Sequence, residues 1–151
     1  MRRYLEYFKY IIRHKWLVLL ECMDLGIEIR GILHDISKFR PSEFIPYAKH
    51  FYNEDGSKKQ HVPDDDFDAA FLHHLSANKH HWQYWVKIVN PNEMVALDMP
   101  EVYIREMVAD WNAMSRAQGN LDAKTWYQAN KDKMILSIKT RVKVEEMLGV
   151  V

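Results

Sequence analysis

The sequence predicts an all-α protein, and three observations carry that expectation. Apolar residues recur at three- and four-residue spacing along nearly the whole 151-residue chain. No segment alternates apolar and polar residues as a half-buried strand would. Glycine is scarce, with five in the chain, and prolines fall where one helix should give way to the next. The length suits one domain with a sizeable core. No repeat, low-complexity tract or second domain interrupts residues 1–151.

The first helix is expected from about Arg3 to Met23, with Leu5, Phe8, Ile12, Trp16 and Leu19 on one side and Gly26 allowing a break near its end. A second helix follows to about Ile36 or Lys38. Pro41 starts a third, with Ser42 or a neighbour as cap and Glu43 adding favourable charge in the first turn. Residues 53–60 read as an exposed loop. Pro63 and the three aspartates after it mark a helix start reaching about Asn78. His80 to Val89 is expected to continue as helix after a bend. Pro91 and Pro100 bracket a short connection. A strong helix runs from about Pro100 to Ala117 and ends before Gly119. One or two further helices carry Trp126, Tyr127, Ile135, Ile138, Val142 and Met147.

The totals exclude several classes of function. Twenty-one basic and 21 acidic residues balance, which argues against an extended nucleic-acid surface or a grip on anionic membrane. One cysteine, Cys22, cannot form a disulfide within the chain. Its apolar helical setting suits a buried, inert thiol in a reducing compartment. The basic start, Met1-Arg2-Arg3, is not followed by a signal peptide, and the apolar run Trp16 to Leu20 is too short to cross a bilayer. The expected location is the cytoplasm, with no membrane partner.

Eight histidines are placed where they could do chemistry. His34-Asp35 ends an apolar helix, and burying such a pair without partners is costly. A metal ion removes that cost, because imidazole and carboxylate both donate lone pairs to it. Neighbouring helix positions differ by about 100°, so both can reach one ion lying between their directions. Phe67, Phe71, His74, Asn78 and His81 fall at spacings of four, three, four and three, which sets them on one face of a continuous helix. His73 points elsewhere. His14, on or beside the apolar face of the first helix, and Asp110, embedded in Met-Val-Ala-Asp-Trp, supply two more ligands. Each is also compatible with a hydrogen-bonded core residue.

The order His14, His34-Asp35, Asp110 resembles the HD superfamily of metal-dependent phosphohydrolases. His34-Asp35-Ile36-Ser37-Lys38 is similar to the His-Asp-Ile-Gly-Lys motif of its cyclic-dinucleotide phosphodiesterase branch. That branch also has a tandem histidine pair before its last aspartate, and His80-His81 stands in that place. The stretch from Asp110 to Arg116 is loosely similar to the branch's Asp-x-x-Asp-Ala-Leu-Thr-Ser-x-Arg. The Gly-Tyr-Pro element is absent, and the interval from His74 to the histidine pair is shorter. The combination looks more like a compact HD-like branch found in bacteria and phages.

The resemblance implies a single-domain HD-like helical bundle holding one or two divalent transition metal ions. Iron, manganese, zinc, cobalt and nickel suit nitrogen-rich ligation. His14, His34, Asp35 and Asp110 would form a first site. Asp35 would bridge to a second ion held by His74 with His80, His81 or both. The expected activity is hydrolysis of a phosphate ester, on a small phosphorylated molecule or a nucleotide. Asp35 and Lys38, one helical turn past His34, are the catalytic candidates. Lys38, Arg116 and Arg40 are candidates for phosphate contact. Trp82, Tyr84 and Trp85 either wall a pocket or pack between helices. Asn78 orients a ligand histidine or caps a helix. His50 and His61 are expected at the surface. Two rival functions remain: a di-iron HD-type oxygenase, and a metal-stabilised binding module without turnover.

Overall fold

The computed structural model describes residues 1–119 and 122–150. Its described residues are mostly helical, with α1 (Arg2–Asp24), α2 (Glu28–Leu33), α3 (Pro41–Phe51), α4 (Asp65–Ala77), α5 (Glu101–Gln118), α6 (Ala123–Asn130) and α7 (Ile138–Leu148). Short 3-10 turns occupy Ile36–Phe39, Trp82–Trp85 and Lys131–Lys133. Among the described residues, no helix is long and apolar enough to cross a membrane.

Local chemistry sets several helix starts. Asp64, Asp122 and Ser137 accept a hydrogen bond from the backbone N–H three residues on, at 3.1, 2.8 and 3.2 Å, each satisfying one donor that the first turn leaves free. Pro41 sits in the first turn of α3, where its missing N–H costs nothing. Gly119, at φ 63°, ends α5 in the left-handed conformation.

One expected helix is absent. Past the 3-10 turn, Val86–Asn90 (β1) pairs antiparallel with Glu93–Ala96 (β2), in the register Val86 opposite Ala96 and Ile88 opposite Met94. The β-branched Val86, Ile88, Val89 and Val95 favour strand, and the Pro91-Asn92 turn reverses the chain where a helix from His80 would have had to continue.

The face of α1 that packs inward also differs from the expected one. Tyr7, Ile11, His14, Val18 and Cys22 are buried, while Leu5, Phe8, Ile12 and Trp16 lie exposed. Helix α1 has apolar residues on two faces. The buried one is selected by its partners: Ala109 and Ala113 of α5 let Val18 and Cys22 approach closely, and Tyr47, Ala48 and Ala70 close over Tyr7 and Ile11. A separate cluster of Met99, Ile104, Met107, Tyr127, Met134 and Val144 joins α5 to α6 and α7. Cys22 is fully buried, and burial pushes its thiol up to about 11. His50, expected at the surface, is buried: its ring stacks on Phe67 with centroids 3.7 Å apart, and its Nε2 lies 3.0 Å from Nδ1 of the exposed His61.

Candidate metal centre

Helix α2 ends one residue before the His-Asp pair. His34 is extended (φ −51°, ψ 129°), and Asp35 adopts the left-handed conformation at φ 52°. Among described residues it is the one non-glycine with positive φ, a conformation that Asp tolerates better than most residues and that clusters at functional sites. The expected helix through Lys38 is therefore broken at Asp35, and the kink lets adjacent residues both point inward. Helix α1 supplies His14, α4 supplies His74 in its last turn, and α5 supplies Asp110. His80 and His81 come from the turn after α4, not from a continuous helical face: α4 ends at Ala77, and Phe71 is half-exposed while His74 is buried.

All seven expected ligands meet here. Asp35, His74, His80 and His81 form one group, and His14, His34 and Asp110 another; within each, the donor atoms lie within 4.8 Å of one another. Asp35 faces both. Its Oδ1 is 3.4 Å from His74 Nε2 and 3.3 Å from His80 Nε2, while its Oδ2 is 3.4 Å from His34 Nε2. Asp110 Oδ1 is 3.0 Å from His14 Nε2 and 3.6 Å from His34 Nε2. His81 Nε2 is 2.9 Å from His74 Nε2.

Apart from the His74–His81 pair, several of these atoms are close without being hydrogen-bonded. His34 Nε2, Asp35 Oδ1, His80 Nε2 and Asp110 Oδ1 are all buried and have no hydrogen-bond partner. Leaving one such group unsatisfied costs about 1–3 kcal/mol, so four converging ones call for a common partner. Ligands about 2.1 Å from one ion stand roughly 3.0–3.4 Å apart at octahedral or tetrahedral angles, which is the spacing seen here. The residues present therefore fit a metal ion.

Two buried glutamates that the sequence reading did not assign to the site orient the rings. Glu106 of α5 has an oxygen 3.2 Å from His34 Nδ1 and 3.3 Å from His80 Nδ1. Glu43 of α3 lies 3.0 Å from His74 Nδ1, 2.7 Å from His73 Nδ1 and accepts from Ser37 Oγ at 3.0 Å. An ionised carboxylate only accepts, so a hydrogen sits on Nδ1 of His34 and His74, and Nε2 is the nitrogen of each ring that faces the centre. Arg30 already occupies Glu106 Oε2, at 2.6 and 2.8 Å, which marks Glu106 as an orienting group. Asn78 both ends α4, through His74 O at 2.8 Å, and donates to Ser37 Oγ at 3.0 Å.

The charges support the same assignment. Burial pushes the Asp35 carboxyl up, but His34, Lys38 and His74 outweigh it and hold the group well below the usual carboxylate range. Asp110 is likewise held low against burial by His14 and His34. Burial also opposes ionisation of Glu106, yet bonds from His34 and His80 bring it to about 2. Burial and neighbouring histidine charge push His80 and His81 down, so both rings stay neutral. His34 is raised well above its ordinary value: burial lowers it, and Asp35, Asp110 and Glu106 prevail. Among the described residues, Glu43, Glu106, Asp35 and Asp110 pair directly with two fixed cations, Lys38 and Arg30, and Lys15 lies near enough to act on Asp35 and Glu106; four carboxylates against three cations suit a divalent ion.

The other expected residues divide. Lys38 is largely buried, with Nζ 2.6 Å from Asp35 Oδ2. Trp82 lines a cavity of about 630 Å3 that reaches His81 and Asp110. Trp85 instead packs into the core cluster, donating to Lys79 O at 2.8 Å, and Tyr84 is half-exposed. Arg116 is not brought to the cluster: it is exposed and paired with Glu21 at 2.6 Å. Arg40 is exposed as well.

A family model described as "Family of unknown function (DUF5662)" matches residues 3–150. The chain belongs to DUF5662. No curated protein and no solved structure matches it. Within this DUF5662 chain, Glu106 lies one helical turn before Asp110. A glutamate directly before the apolar run Met107–Ala109 was the available signal for it.

Proposed function

We propose that this chain is an HD-type metal-dependent phosphohydrolase acting on a small phosphate ester, and that its helices form an HD-like bundle. The observation that carries the reading is the convergence of four buried, unpartnered donor atoms from three segments, one of them on Asp110 at the end of a cavity. His14, His34 and Asp110 would hold one divalent transition metal ion, and His74, His80 and His81 a second, with Asp35 between them. Such ions lower the pKa of a bound water towards neutrality and polarise a phosphoryl oxygen.

The chain's own residues have separable tasks. Glu106 and Glu43 hold the rings of His34 and His74 so that Nε2 faces the centre. Lys38 fixes Asp35 Oδ2 and balances part of its charge, which makes it a positioning residue. Trp82 and the other rings of the cavity wall give an apolar surface on the side where the ester would enter. Nitrogen-rich ligation favours manganese, iron, cobalt, nickel or zinc.

The test is phosphate release from a panel of phosphomonoesters by protein reconstituted with each of these metals. Release that disappears on chelation and in Asp110→Asn supports the reading. Silence across every metal and ester overturns it. A second reading, a di-iron oxygenase, draws support from one observation: among the described residues, no lysine or arginine lines the cavity. Oxygen consumption by the two-iron form, with no phosphate release, would favour it.

A further inference from the structure

The cavity that ends on Asp110 and His81 has a chemistry of its own. Phe71, Trp82, Met107, Trp111, Met114 and Trp126 make most of its wall. Its polar side chains, apart from the two expected ligands, are Gln83 and Ser115. A volume of about 630 Å3 lies inside the range of pockets that enclose a small organic molecule. It holds more than a phosphoryl group needs.

We propose that this cavity receives a flat, uncharged aromatic or similarly apolar group, and that the substrate is a phosphomonoester of such a group. This inference rests on the phosphohydrolase reading and names its substrate class. Four aromatic side chains give broad apolar faces on which a ring can stack. Each further phosphate of a di- or triphosphate would need a cation, and the wall provides none. A sugar phosphate would lose the hydration of several hydroxyls against two polar side chains, and each unmatched hydroxyl is costly.

The reaction balances with water alone. The water oxygen bonds to phosphorus, the ester P–O bond breaks, and a proton from that water ends on the departing oxygen. The products are the alcohol or phenol and inorganic phosphate. Asp110 and His81 border the cavity, so an ester with its ring among the tryptophans directs its phosphoryl group at the metal-facing end.

The experiment has a binding arm and a turnover arm, both on the metal-loaded full chain. In the first, calorimetry measures 2-naphthol against glucose, neither of which carries a phosphate. In the second, kcat/KM is compared for 1-naphthyl phosphate, a nucleoside monophosphate, a nucleoside triphosphate, glucose 6-phosphate and glycerol 3-phosphate. Naphthol should bind and glucose should not. Naphthyl phosphate should exceed the sugar and glycerol esters by at least about tenfold, with the triphosphate the poorest nucleotide. A nucleoside monophosphate, whose phosphate sits on a hydroxyl-bearing ribose, should fall below the naphthyl ester; one that equals or exceeds it would overturn the assignment of a sugar-free aromatic ester. Phe71→Ala and Trp126→Ala, at half-exposed positions, should shrink the advantage several-fold while metal content stays constant.

Naphthol binding without turnover of any ester would sustain the cavity assignment and overturn the phosphohydrolase reading. Turnover led by glycerol phosphate or a triphosphate, without naphthol binding, would do the reverse. Neither binding nor turnover would overturn both.

Discussion

Asp35 Oδ1 lies 3.3 Å from His80 Nε2, both atoms are buried, and neither is hydrogen-bonded. A carboxylate oxygen and an imidazole nitrogen brought this near would form a hydrogen bond if the proton lay between them. Their geometry instead resembles two ligands facing one ion. Asp35→Asn tests this with little disturbance, because asparagine keeps the shape and tolerates the left-handed backbone at φ 52°. Metal content after dialysis should fall by at least one ion per chain, with helical circular dichroism retained. Wild-type content in that variant would sink the bridging role of Asp35.

The sequence showed the clustered histidines and aspartates more clearly than the carboxylates that orient them. His14, His34, Asp35, His74, His80, His81 and Asp110 stand out because polar, metal-binding side chains in apolar helical stretches are conspicuous. Glu43 was read only as a favourable charge in the first turn of α3, since its burial depends on α4 packing over it. The outward face of α1 was equally hidden. Leu5, Phe8, Ile12 and Trp16 repeat at helical spacing as well as Tyr7, Ile11, His14 and Val18 do, and it takes the packing partners, Ala109 and Ala113 on one side and Tyr47, Ala48 and Ala70 on the other, to choose between the faces. The His80–Val89 stretch misled for a simpler reason: a short hairpin of four- and five-residue strands leaves little period to read.

Glu106 provides a test of ring orientation. Replacing it by glutamine keeps the volume, but the amide can turn its NH2 towards His34 and His80, and Arg30 loses its counter-charge. Loss of an orienting carboxylate of this kind typically costs about 10–100-fold in metal affinity. Competition titration with a chromophoric chelator should show a weakening in that range for Glu106→Gln. An unchanged affinity would show that the rings are held by packing alone.

The raised pKa of His34 makes metal binding release protons. At pH 7 the metal-free ring is protonated on both nitrogens, and an ion can bind Nε2 only by displacing that proton. Affinity should therefore rise with pH and level off above the folded pKa of His34. His80 and His81 are depressed and release nothing at pH 7. In chelator-treated protein those two act on stability instead: protons prefer their unfolded forms, so stability falls as pH drops below about 6.5. Calorimetry in buffers of different ionisation enthalpy should give about one proton released per metal-bound His34 at pH 7. Zero release would contradict the charge state assigned to His34.

Gly31 controls how closely α2, and with it His34, approaches His14. A Cβ built on Gly31 meets Leu19 Cα and Cys22 Cβ, each at 2.9 Å. The first is backbone and cannot rotate away, so an added methyl must push α2 off α1. Alanine favours helix over glycine by about 1 kcal/mol, but overpacking of this kind costs about 1–3 kcal/mol. Gly31→Ala should therefore be destabilising on balance, lowering Tm by several degrees for a chain of this size. His34 follows α2 directly, so the same shift should separate it from His14 and Asp110 and weaken metal binding. A variant with raised Tm and full metal affinity would show that α1 and α2 are not in the tight contact that places His34 in the centre.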